Sequence, residues 1–386
     1  MSYYDESSTS NIGATTTTIL KQSFNKYRRK PDDPSFIDDL NELVDFSINP
    51  QSDPRIIDLT KRRKRRKNSD RYEYQGPIFG LKSHPGFAYI PSALSPTLQR
   101  DFVYSALTEF CQPPHGTNID LVPRKEGIEH QNKTKNETMW ELWKKDNMEE
   151  KEDCDEKKRY YKNFSKLSWA TLGYRFDWTA RAYREKNKST MPPMLQSLGE
   201  FFARLGEEIN PNGNADEYSF TASAAIVNYY SLKSSMGGHR DDSELDVSKP
   251  VVSFSLGLPA VFLIGAATKE EGPVVPLLLR PGDVMLLGGD VRLNFHGVAR
   301  ILSGDVELPP VQSDLNGLKV EDYQIDSWNK IFGNEVDVNI DTPPSDFEAI
   351  EKFLTLYRVN ANVRQVLPDG VDRIPGDDND NQCNSL

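Results

Sequence analysis

The second half of the sequence is a succession of short β-rich runs, and this pattern constrains the fold more than any other feature. Polar and apolar residues alternate with a period of two from about residue 218 onward, and glycine, proline or aspartate separates most of the runs. Such spacing is typical of a β-sandwich or a β-barrel. The runs are residues 222–230, 250–258, 261–264, 276–279, 284–287, 294–301 and 357–367.

Helical patterns precede these runs. Apolar residues recur at helical spacing in residues 95–111 and 194–209, and Ser95 or Thr97 is placed to cap the first of these helices. The β-rich pattern of residues 80–90, which include the run Phe-Ala-Tyr-Ile, predicts one earlier strand. Because helices come first and strands follow, the sequence predicts an α+β fold with a double-sheet β-core.

Polar segments flank and interrupt this core. Residues 1–75 are polar and contain the basic run KRRKRRK at 61–67, so we predict a disordered extension. The basic run is either a solvated linker or a signal for nuclear import or phosphate binding, and these uses can coexist. Four regions are predicted: a disordered polar and basic extension at 1–75, a helical and lid region at 76–217, a β-core at 218–367 and an acidic tail at 368–386. A charged helical insertion lies within the second region at about 125–165, and another insertion lies within the β-core at about 303–345.

Charge and cysteine content exclude several classes of protein. The formal net charge of −11 argues against a protein that coats nucleic acid with its whole surface, although it leaves local basic patches open. The three cysteines form no CxxC pair, so neither a zinc ribbon nor a disulfide framework is indicated, and a reducing intracellular compartment fits. No apolar stretch is long enough to cross a bilayer. We expect no membrane partner and a monomer.

His239 and Asp241 are the strongest candidates for a metal site. In an extended chain residues i and i+2 point the same way, so both side chains can bind one ion, and the glycines before them let the backbone turn. Of the five histidines only His296 follows later in the chain, and it would complete a set of two histidines and one carboxylate. Such a set leaves coordination positions open, as non-haem iron(II) oxygenases require. The alternative is a group of ordinary surface histidines.

A second candidate site lies on the last β-rich run. Four polar residues are each two positions apart there and would share one face of a strand: Arg358, Asn360, Asn362 and Arg364. Arginine suits a carboxylate because its planar fork binds both oxygens, and an inward-facing set would be too costly to bury without an anionic ligand such as 2-oxoglutarate. The alternative is an edge strand with a solvated polar face. Asn228 and Tyr230 repeat the same spacing on an earlier run.

Taken in order, these motifs resemble the AlkB family of oxidative nucleic-acid demethylases, and several details resemble its first eukaryotic branch. The motifs are Asn-x-Tyr at 228–230, His-x-Asp at 239–241, PVVSFSLGLPA at 250–260, Gly-Asp at 282–283, Arg-x3-His-Gly at 292–297 and Arg-x-Asn-x3-Arg at 358–364. The resemblance implies a double-stranded β-helix (jelly-roll) core under an N-terminal nucleotide-recognition lid. It also implies iron(II), 2-oxoglutarate as cosubstrate and O2, with ascorbate as the reductant in vitro.

By motif position, the resemblance assigns roles to individual residues. His239, Asp241 and His296 would bind the iron, and no separate acid or base is expected. The 2-oxoglutarate site would consist of Asn228, Tyr230, Arg358 and Asn360, with Arg364 near the carboxylate that binds the metal. The substrate base would contact Trp169, Tyr174 and Phe176, although core packing is the alternative for Trp169, Tyr174 and Trp178. Ser243 departs from the pattern, because bacterial members have an acidic residue near the base at that position.

The activity that the resemblance implies is oxidative demethylation of N-methylated bases, with release of formaldehyde, succinate and CO2. The leading substrates are 1-methyladenine in tRNA and methylated adenine in DNA, each as a flipped or single-stranded base. One alternative is oxidation of a protein, such as a histone, by the same iron site. A second is a non-catalytic nuclear factor that binds nucleic acid through the basic run. The expected compartment is the nucleus or the cytoplasm, with the mitochondrion as a further option.

Overall fold

Two β-sheets that pack face to face form the centre of the computed structural model. The structure describes residues 18–30, 32–64, 72–119, 138–148, 166–186, 188–214, 216–327, 329–332 and 342–376. Within these ranges the strands, in chain order, are β1 (Ile56–Asp58), β2 (Phe79–Leu81), β3 (His84–Ile90), β4 (Gly116–Thr117), β5 (Trp169–Gly173), β6 (Arg175–Asp177), β7 (Ala182–Arg184), β8 (Ala224–Ser231), β9 (Met236–His239), β10 (Val251–Gly257), β11 (Ala260–Ile264), β12 (Val275–Leu279), β13 (Val284–Leu287), β14 (His296–Ile301), β15 (Asp314–Leu315), β16 (Leu318–Lys319) and β17 (Tyr357–Arg364). The helices are α1 (Ile19–Tyr27), α2 (Phe36–Asn41), α3 (Pro96–Thr108), α4 (Met139–Asn147), α5 (Pro193–Ile209), α6 (Val320–Tyr323), α7 (Asn329–Phe332) and α8 (Phe347–Leu354).

The strands of the predicted β-core are shared between the two sheets. The larger sheet has the order β1-β2-β3-β13-β10-β17-β8-β5-β4, and the smaller has the order β12-β11-β14-β9. From β8 onward the chain therefore crosses repeatedly from one sheet to the other, and the paired strands within each sheet are antiparallel. The prediction of an α+β chain with a sheet-rich, double-sheet core is confirmed.

Both faces of the larger sheet are covered, which explains the composition of its central strand. Its inner face packs on the smaller sheet, in a core that includes Tyr89 of the larger sheet and Phe262 of the smaller. Its outer face is covered by the apolar sides of α3, α5 and α8. Strand β10 is buried at every position for this reason. Strands buried on both faces are rich in apolar residues rather than strictly alternating, as this one is.

The two long helices begin and end close to their predicted limits. Ser95 caps α3, because its side-chain oxygen accepts a hydrogen bond from the backbone N–H of Leu98 at 3.2 Å. Helix α5 buries the apolar stripe that its spacing predicts, including Leu198, Phe202 and Leu205. In the described ranges, no helix combines the length and the apolar character needed to cross a bilayer.

The prediction of a disordered extension at 1–75 is wrong for residues 18–30, 32–64 and 72–75. Strand β1 pairs with β2 at the edge of the larger sheet, Val44 and Phe46 lie in the core between the sheets, and α1 and α2 pack on the outer face of the smaller sheet. Helix α1 buries Leu20, Phe24 and Tyr27 against that sheet. These residues have the i, i+4, i+7 spacing of one helix face. Because the residues between them are polar, the segment is polar on average, and composition alone does not indicate a helix. Residues 1–17 and 65–71 lie outside the described residues.

Replacing Phe24 with alanine is therefore expected to destabilise the whole protein. The side chain is 5% exposed, and its removal would leave a cavity between α1 and the smaller sheet. Phenylalanine-to-alanine changes in cores lower the free energy of unfolding by about 3–5 kcal/mol. Urea unfolding of the full chain measures this loss. Ile19 lies on the same helix at 43% exposure, so Ile19→Ala is the matched control and should change little. Equal effects of the two changes would contradict the packing of α1.

The start of the basic run also contacts the folded body. Arg63 forms an ion pair with Glu208 near the end of α5, and the Lys64 ammonium donates to the carbonyl oxygen of Pro211 at 2.7 Å. Residues 65–67 of the run lie outside the described residues. Its roles in nuclear import or phosphate binding stay predictions.

The predicted insertions are attached to the core where the structure describes them. From the segment 125–165 the structure describes residues 138–148, which contain α4. Trp140 and Trp143 of this helix are buried and stack at 5.3 Å between ring centroids. Trp140 Nε1 and the Lys144 ammonium donate to the carboxylate of Asp346 at 3.1 and 2.7 Å. In the segment 303–345, Ile325 is buried and pairs with Leu94 beside α3.

Candidate metal centre

The three predicted metal ligands converge at one end of the smaller sheet. His239 is the last residue of β9 and His296 the first of β14, and the two residues are paired directly across these antiparallel strands. Asp241 follows two residues after β9. Its carboxylate oxygens lie 3.9 Å from His239 Nε2 and 4.0 Å from His296 Nε2. One ligand atom from each of the three residues lies within 4.8 Å of the others.

The hydrogen bonds of the two imidazoles leave the converging nitrogens free to bind a cation. Nδ1 of His239 lies 3.0 Å from the carbonyl oxygen of Gly237, and Nδ1 of His296 lies 2.9 Å from that of Asn294. A carbonyl oxygen only accepts, so each Nδ1 carries the proton and each Nε2 presents a lone pair in the neutral ring. Burial, together with the neighbouring His239, lowers the pKa of His296 to about 4, so this ring is neutral at physiological pH. Two lone pairs and a carboxylate that face one another fit a metal ion.

Asp241 is held in its ionised form. Burial alone would raise the pKa of its carboxyl, but the positive charge of the Arg364 guanidinium outweighs burial and holds that pKa well below its usual range. Arg364 Nη2 lies 3.3 Å from Asp241 Oδ2. The site therefore supplies a negative charge beside two imidazole nitrogens.

The glycines next to the ligands allow α1 to pack directly behind the metal centre. A Cβ atom added to Gly238 would lie 2.6 Å from Leu20 Cδ2, and one added to Gly297 would lie 2.8 Å from Phe24 Cζ. Such distances are shorter than carbon atoms tolerate. The requirement for glycine is strict at Gly297, where a Cβ would also lie 2.6 Å from the carbonyl oxygen of Met236 on the neighbouring strand, whereas the clash at Gly238 involves only the flexible end of Leu20.

A pocket between the two sheets opens beside the metal centre, and Arg358 lies at its polar side. The Arg358 side chain is 0% exposed, and burial lowers its pKa. Its Nη2 donates to Ser255 Oγ at 2.8 Å and its Nη1 to the carbonyl oxygen of Leu258 at 3.2 Å. In the described part of the chain, no carboxylate lies within ion-pair distance of it, and its Nε–H lacks a hydrogen-bond partner. A buried cation without a counter-ion fits the carboxylate of an anionic ligand.

Most of the residues predicted to bind 2-oxoglutarate lie around this pocket. Tyr230, Arg358, Asn360 and Asn362 line it together with the three metal-ligand candidates. Asn360 donates to Ser253 Oγ and to the carbonyl oxygen of Phe254, both at 2.9 Å. Arg364 reaches Asp241 but is not one of the described lining residues, and its Nε–H is also without a partner. Asn228 is buried opposite Asn360 on β8, outside the lining set.

The predicted substrate residues divide into two groups. Trp169 and Phe176 pack around Trp178, with ring centroids 5.2 and 4.8 Å away, and Trp178 is 38% exposed. Tyr174 is buried in a small cluster against which Phe176 also packs, and its hydroxyl donates to Glu185 at 2.9 Å. This placement favours the core-packing alternative for Tyr174. It leaves Trp169, Phe176 and Trp178 as an accessible aromatic cluster.

Two buried residues beside the metal ligands, Glu244 and Arg292, were not predicted from the sequence to belong to the site. Glu244 and Arg292 form an ion pair at 2.8 Å, with side chains 0% and 2% exposed. Glu244 follows Asp241 in a segment without regular structure, where periodicity predicts no side-chain direction. The motif Arg-x3-His-Gly contained Arg292, but a motif alone names no partner.

Comparisons with known proteins agree with this chemistry. The model of the 2OG-Fe(II) oxygenase superfamily matches residues 119–323. The DNA N(6)-methyladenine demethylase ALKBH1A of Arabidopsis thaliana is 32% identical over 75% of this chain and 84% of its own length. The nucleic acid dioxygenase ALKBH1 of Mus musculus is 32% identical over 76% of this chain and 67% of its own. The tRNA demethylase abh1 of Schizosaccharomyces pombe is 29% identical over 77% of this chain and 84% of its own.

Proposed function

The chain belongs to the AlkB-type Fe(II)- and 2-oxoglutarate-dependent dioxygenases, and from this premise we propose that it demethylates N-methylated bases of nucleic acids by oxidation. The observation that carries the proposal is the convergence of His239, Asp241 and His296 beside Arg358, a buried cation that has no counter-ion among the described residues. The alternation of strands between the two sheets supports our inference that β8 to β14 and β17 form a double-stranded β-helix.

In this proposal each group of residues has a separate task. His239, Asp241 and His296 would hold iron(II), and Arg358 would bind the far carboxylate of 2-oxoglutarate, with Tyr230 and Asn360 beside it. When bound, the iron and 2-oxoglutarate would supply the oxidising chemistry: O2 would convert 2-oxoglutarate to succinate and CO2 and hydroxylate the N-methyl group, whose carbon would then leave as formaldehyde. The apolar lining, which includes Phe262 and Leu279, would exclude water from the reacting groups.

The aromatic cluster supports a nucleic-acid substrate. A base must leave its stack to reach a metal in such a pocket, and an extruded base stacks readily on aromatic side chains. The hairpin of β6 and β7 carries Trp178 at its turn, and exposed cations such as Arg181 and Lys188 lie on or just after the same hairpin. The names of the relatives support methylated adenine in DNA and a methylated base in tRNA as substrates. We propose 1-methyladenine in tRNA as the first candidate to assay.

Replacing Trp178 with alanine is expected to raise the KM for a methylated oligonucleotide. Loss of one stacking contact costs about 1–3 kcal/mol, or roughly fivefold or more in KM. Succinate release without nucleic acid should not change, because Trp178 is outside the lining of the metal pocket. Steady-state assays measure both quantities. Leu356 is similarly exposed at 39% and serves as the control. An unchanged KM in Trp178→Ala would remove this residue from the substrate site.

The proposed function is tested by supplying different methylated substrates to the purified full chain with iron(II), ascorbate and 2-oxoglutarate. We expect formaldehyde from single-stranded oligonucleotides that contain 1-methyladenine or N6-methyladenine, and none from methylated histone peptides. Formaldehyde from peptides alone would contradict the proposal and favour protein oxidation by the same site. Binding of the oligonucleotides without any turnover would favour the non-catalytic alternative.

A further inference from the structure

Glu244 occupies a fully buried position between two arginines. Its side chain is 0% exposed. Oε2 lies 2.8 Å from Arg292 Nη2, and Oε1 accepts a hydrogen bond from Arg364 Nη1 at 3.1 Å. Although burial opposes ionisation, the Arg364 and Arg292 guanidinium groups lower the pKa of Glu244, so it is a buried anion.

Both arginines also contact Asp241. Arg364 Nη2 lies 3.3 Å from the carboxylate of Asp241, and Arg292 Nη1 donates to its backbone carbonyl oxygen. Arg292 is itself fixed by a second bond, from its Nε to the carbonyl oxygen of Lys249 at 2.9 Å. Asp241 is thus held through its side chain by one arginine and through its main chain by the other, and Glu244 holds both.

The charges of this cluster balance only when Glu244 is ionised. Two guanidinium groups oppose two carboxylates, all with side chains no more than 14% exposed. Without the negative charge of Glu244, Asp241 would be the one carboxylate of the described residues that pairs with these arginines, and the cluster would have an excess positive charge. Excess positive charge next to a cation site disfavours metal binding, and the effect is strong where the groups are buried.

Tyr183 connects this cluster to the aromatic hairpin. Its hydroxyl donates to Glu244 Oε1 at 2.9 Å, and its ring packs against Phe176 at 5.3 Å between centroids. Tyr183 lies on β7, in the hairpin that carries Trp178 at its turn. The hydrogen bond therefore joins the proposed substrate surface to the residues that hold Asp241.

We propose that Glu244 is a positioning residue of the metal centre: it holds Arg364 and Arg292 so that the Asp241 carboxylate keeps its place for the metal. The proposal rests on the metal site of the proposed function. Residues that orient metal ligands from behind typically change metal affinity about 10–100-fold when replaced. A residue with a merely structural role would change stability and leave the metal affinity unaltered.

The test is the dissociation constant of Mn(II), measured on the full chain by the electron paramagnetic resonance signal of the free ion. Glu244→Gln keeps the shape of the side chain and removes its charge, and it is expected to weaken Mn(II) binding about 10–100-fold. The matched control is Glu208→Gln, because Glu208 pairs with Arg63 and both side chains are only 11% exposed. This control should lower the unfolding temperature and leave the Mn(II) affinity unchanged.

Two further variants separate charge from packing. Tyr183→Phe removes a hydrogen bond to Glu244 and one from Arg364 Nη1 but no charge, so it should weaken Mn(II) binding less than Glu244→Gln does. Glu244→Asp keeps the charge but shortens the side chain, and it should bind Mn(II) more tightly than Glu244→Gln. If Glu244→Gln does not fold, Glu244→Asp is compared with the wild type, and weaker Mn(II) binding is expected.

Wild-type affinity in the folded Glu244 variant, or an equal loss in Tyr183→Phe, would overturn the inference. Failure of the proposed function has a different signature, because Mn(II) would then bind equally well to the wild type and to His239→Ala.

Discussion

Formaldehyde and succinate release are expected to fall to the level of the protein-free blank when His239 is replaced with alanine. Only three protein ligands converge in the described metal centre, and the loss of one leaves an incomplete set for iron(II). The measurement is product release from a methylated oligonucleotide in the presence of iron(II), ascorbate and 2-oxoglutarate. The variant should also lose Mn(II) binding, which separates loss of the metal from loss of substrate.

His115 provides the matched control for this change. It is also buried, and its Nδ1 bonds to Ser189 Oγ at 2.9 Å, but it belongs to no group of metal-binding side chains in the described ranges. His115→Gln should therefore retain both products and Mn(II) binding. Robust turnover by His239→Ala would contradict the assignment of the metal centre.

Replacing Arg358 with methionine is expected to produce the second largest effect, a rise in the KM for 2-oxoglutarate. Methionine keeps much of the volume but cannot pair with a carboxylate. Removal of one partner from a buried charge pair costs about 2–5 kcal/mol, which corresponds to roughly 30-fold or more in affinity. Calorimetric titration of 2-oxoglutarate into the Mn(II)-loaded protein measures this loss without turnover.

Arg280 is the control for Arg358. It is buried as well, but its guanidinium pairs with Asp45 at 2.6 Å, so its counter-ion belongs to the protein. Arg280→Met should lower stability and leave the affinity for 2-oxoglutarate unchanged. If Arg358→Met bound the cosubstrate as tightly as the wild type, the far carboxylate would have to bind elsewhere.

The β-core could be predicted because burial imposes a regular period on strands. Strand β17 shows this most clearly: Arg358 and Asn360 share a face with Asn362, and the apolar residues between them pack in the core on the other face. The alternative of an edge strand is wrong, since β17 lies between β10 and β8. The convergence of His239, Asp241 and His296 followed from the same period together with the small number of histidines.

The contribution of the N-terminal segment could not be predicted from composition. Its few apolar side chains, such as Leu20 and Phe24, stabilise a folded segment only because the smaller sheet presents an apolar face on which they pack. That face is formed by strands more than two hundred residues later in the chain. Composition averages such residues with their polar neighbours, and so it predicts disorder where tertiary contacts create order.

Buried polar networks are the second feature that could not be predicted from the sequence. Glu244 is bonded to Arg292 and Arg364, which lie in distant parts of the sequence, and no local period connects them. The burial of Tyr174 has a similar cause, because its hydroxyl donates to Glu185 and to the carbonyl oxygen of Asp372, which lie outside β5 in the sequence.

The central claim is that one pocket holds the metal on His239, Asp241 and His296 and the cosubstrate on Arg358. The most direct measurement is a crystal structure of the full chain with Mn(II), an unreactive 2-oxoglutarate analogue and a methylated single-stranded oligonucleotide. We predict Mn(II) bound by Nε2 of both histidines and by the Asp241 carboxylate, with the far carboxylate of the analogue on the Arg358 guanidinium and the methylated base facing the metal. Mn(II) bound at other residues, or an analogue carboxylate away from Arg358, would contradict the account.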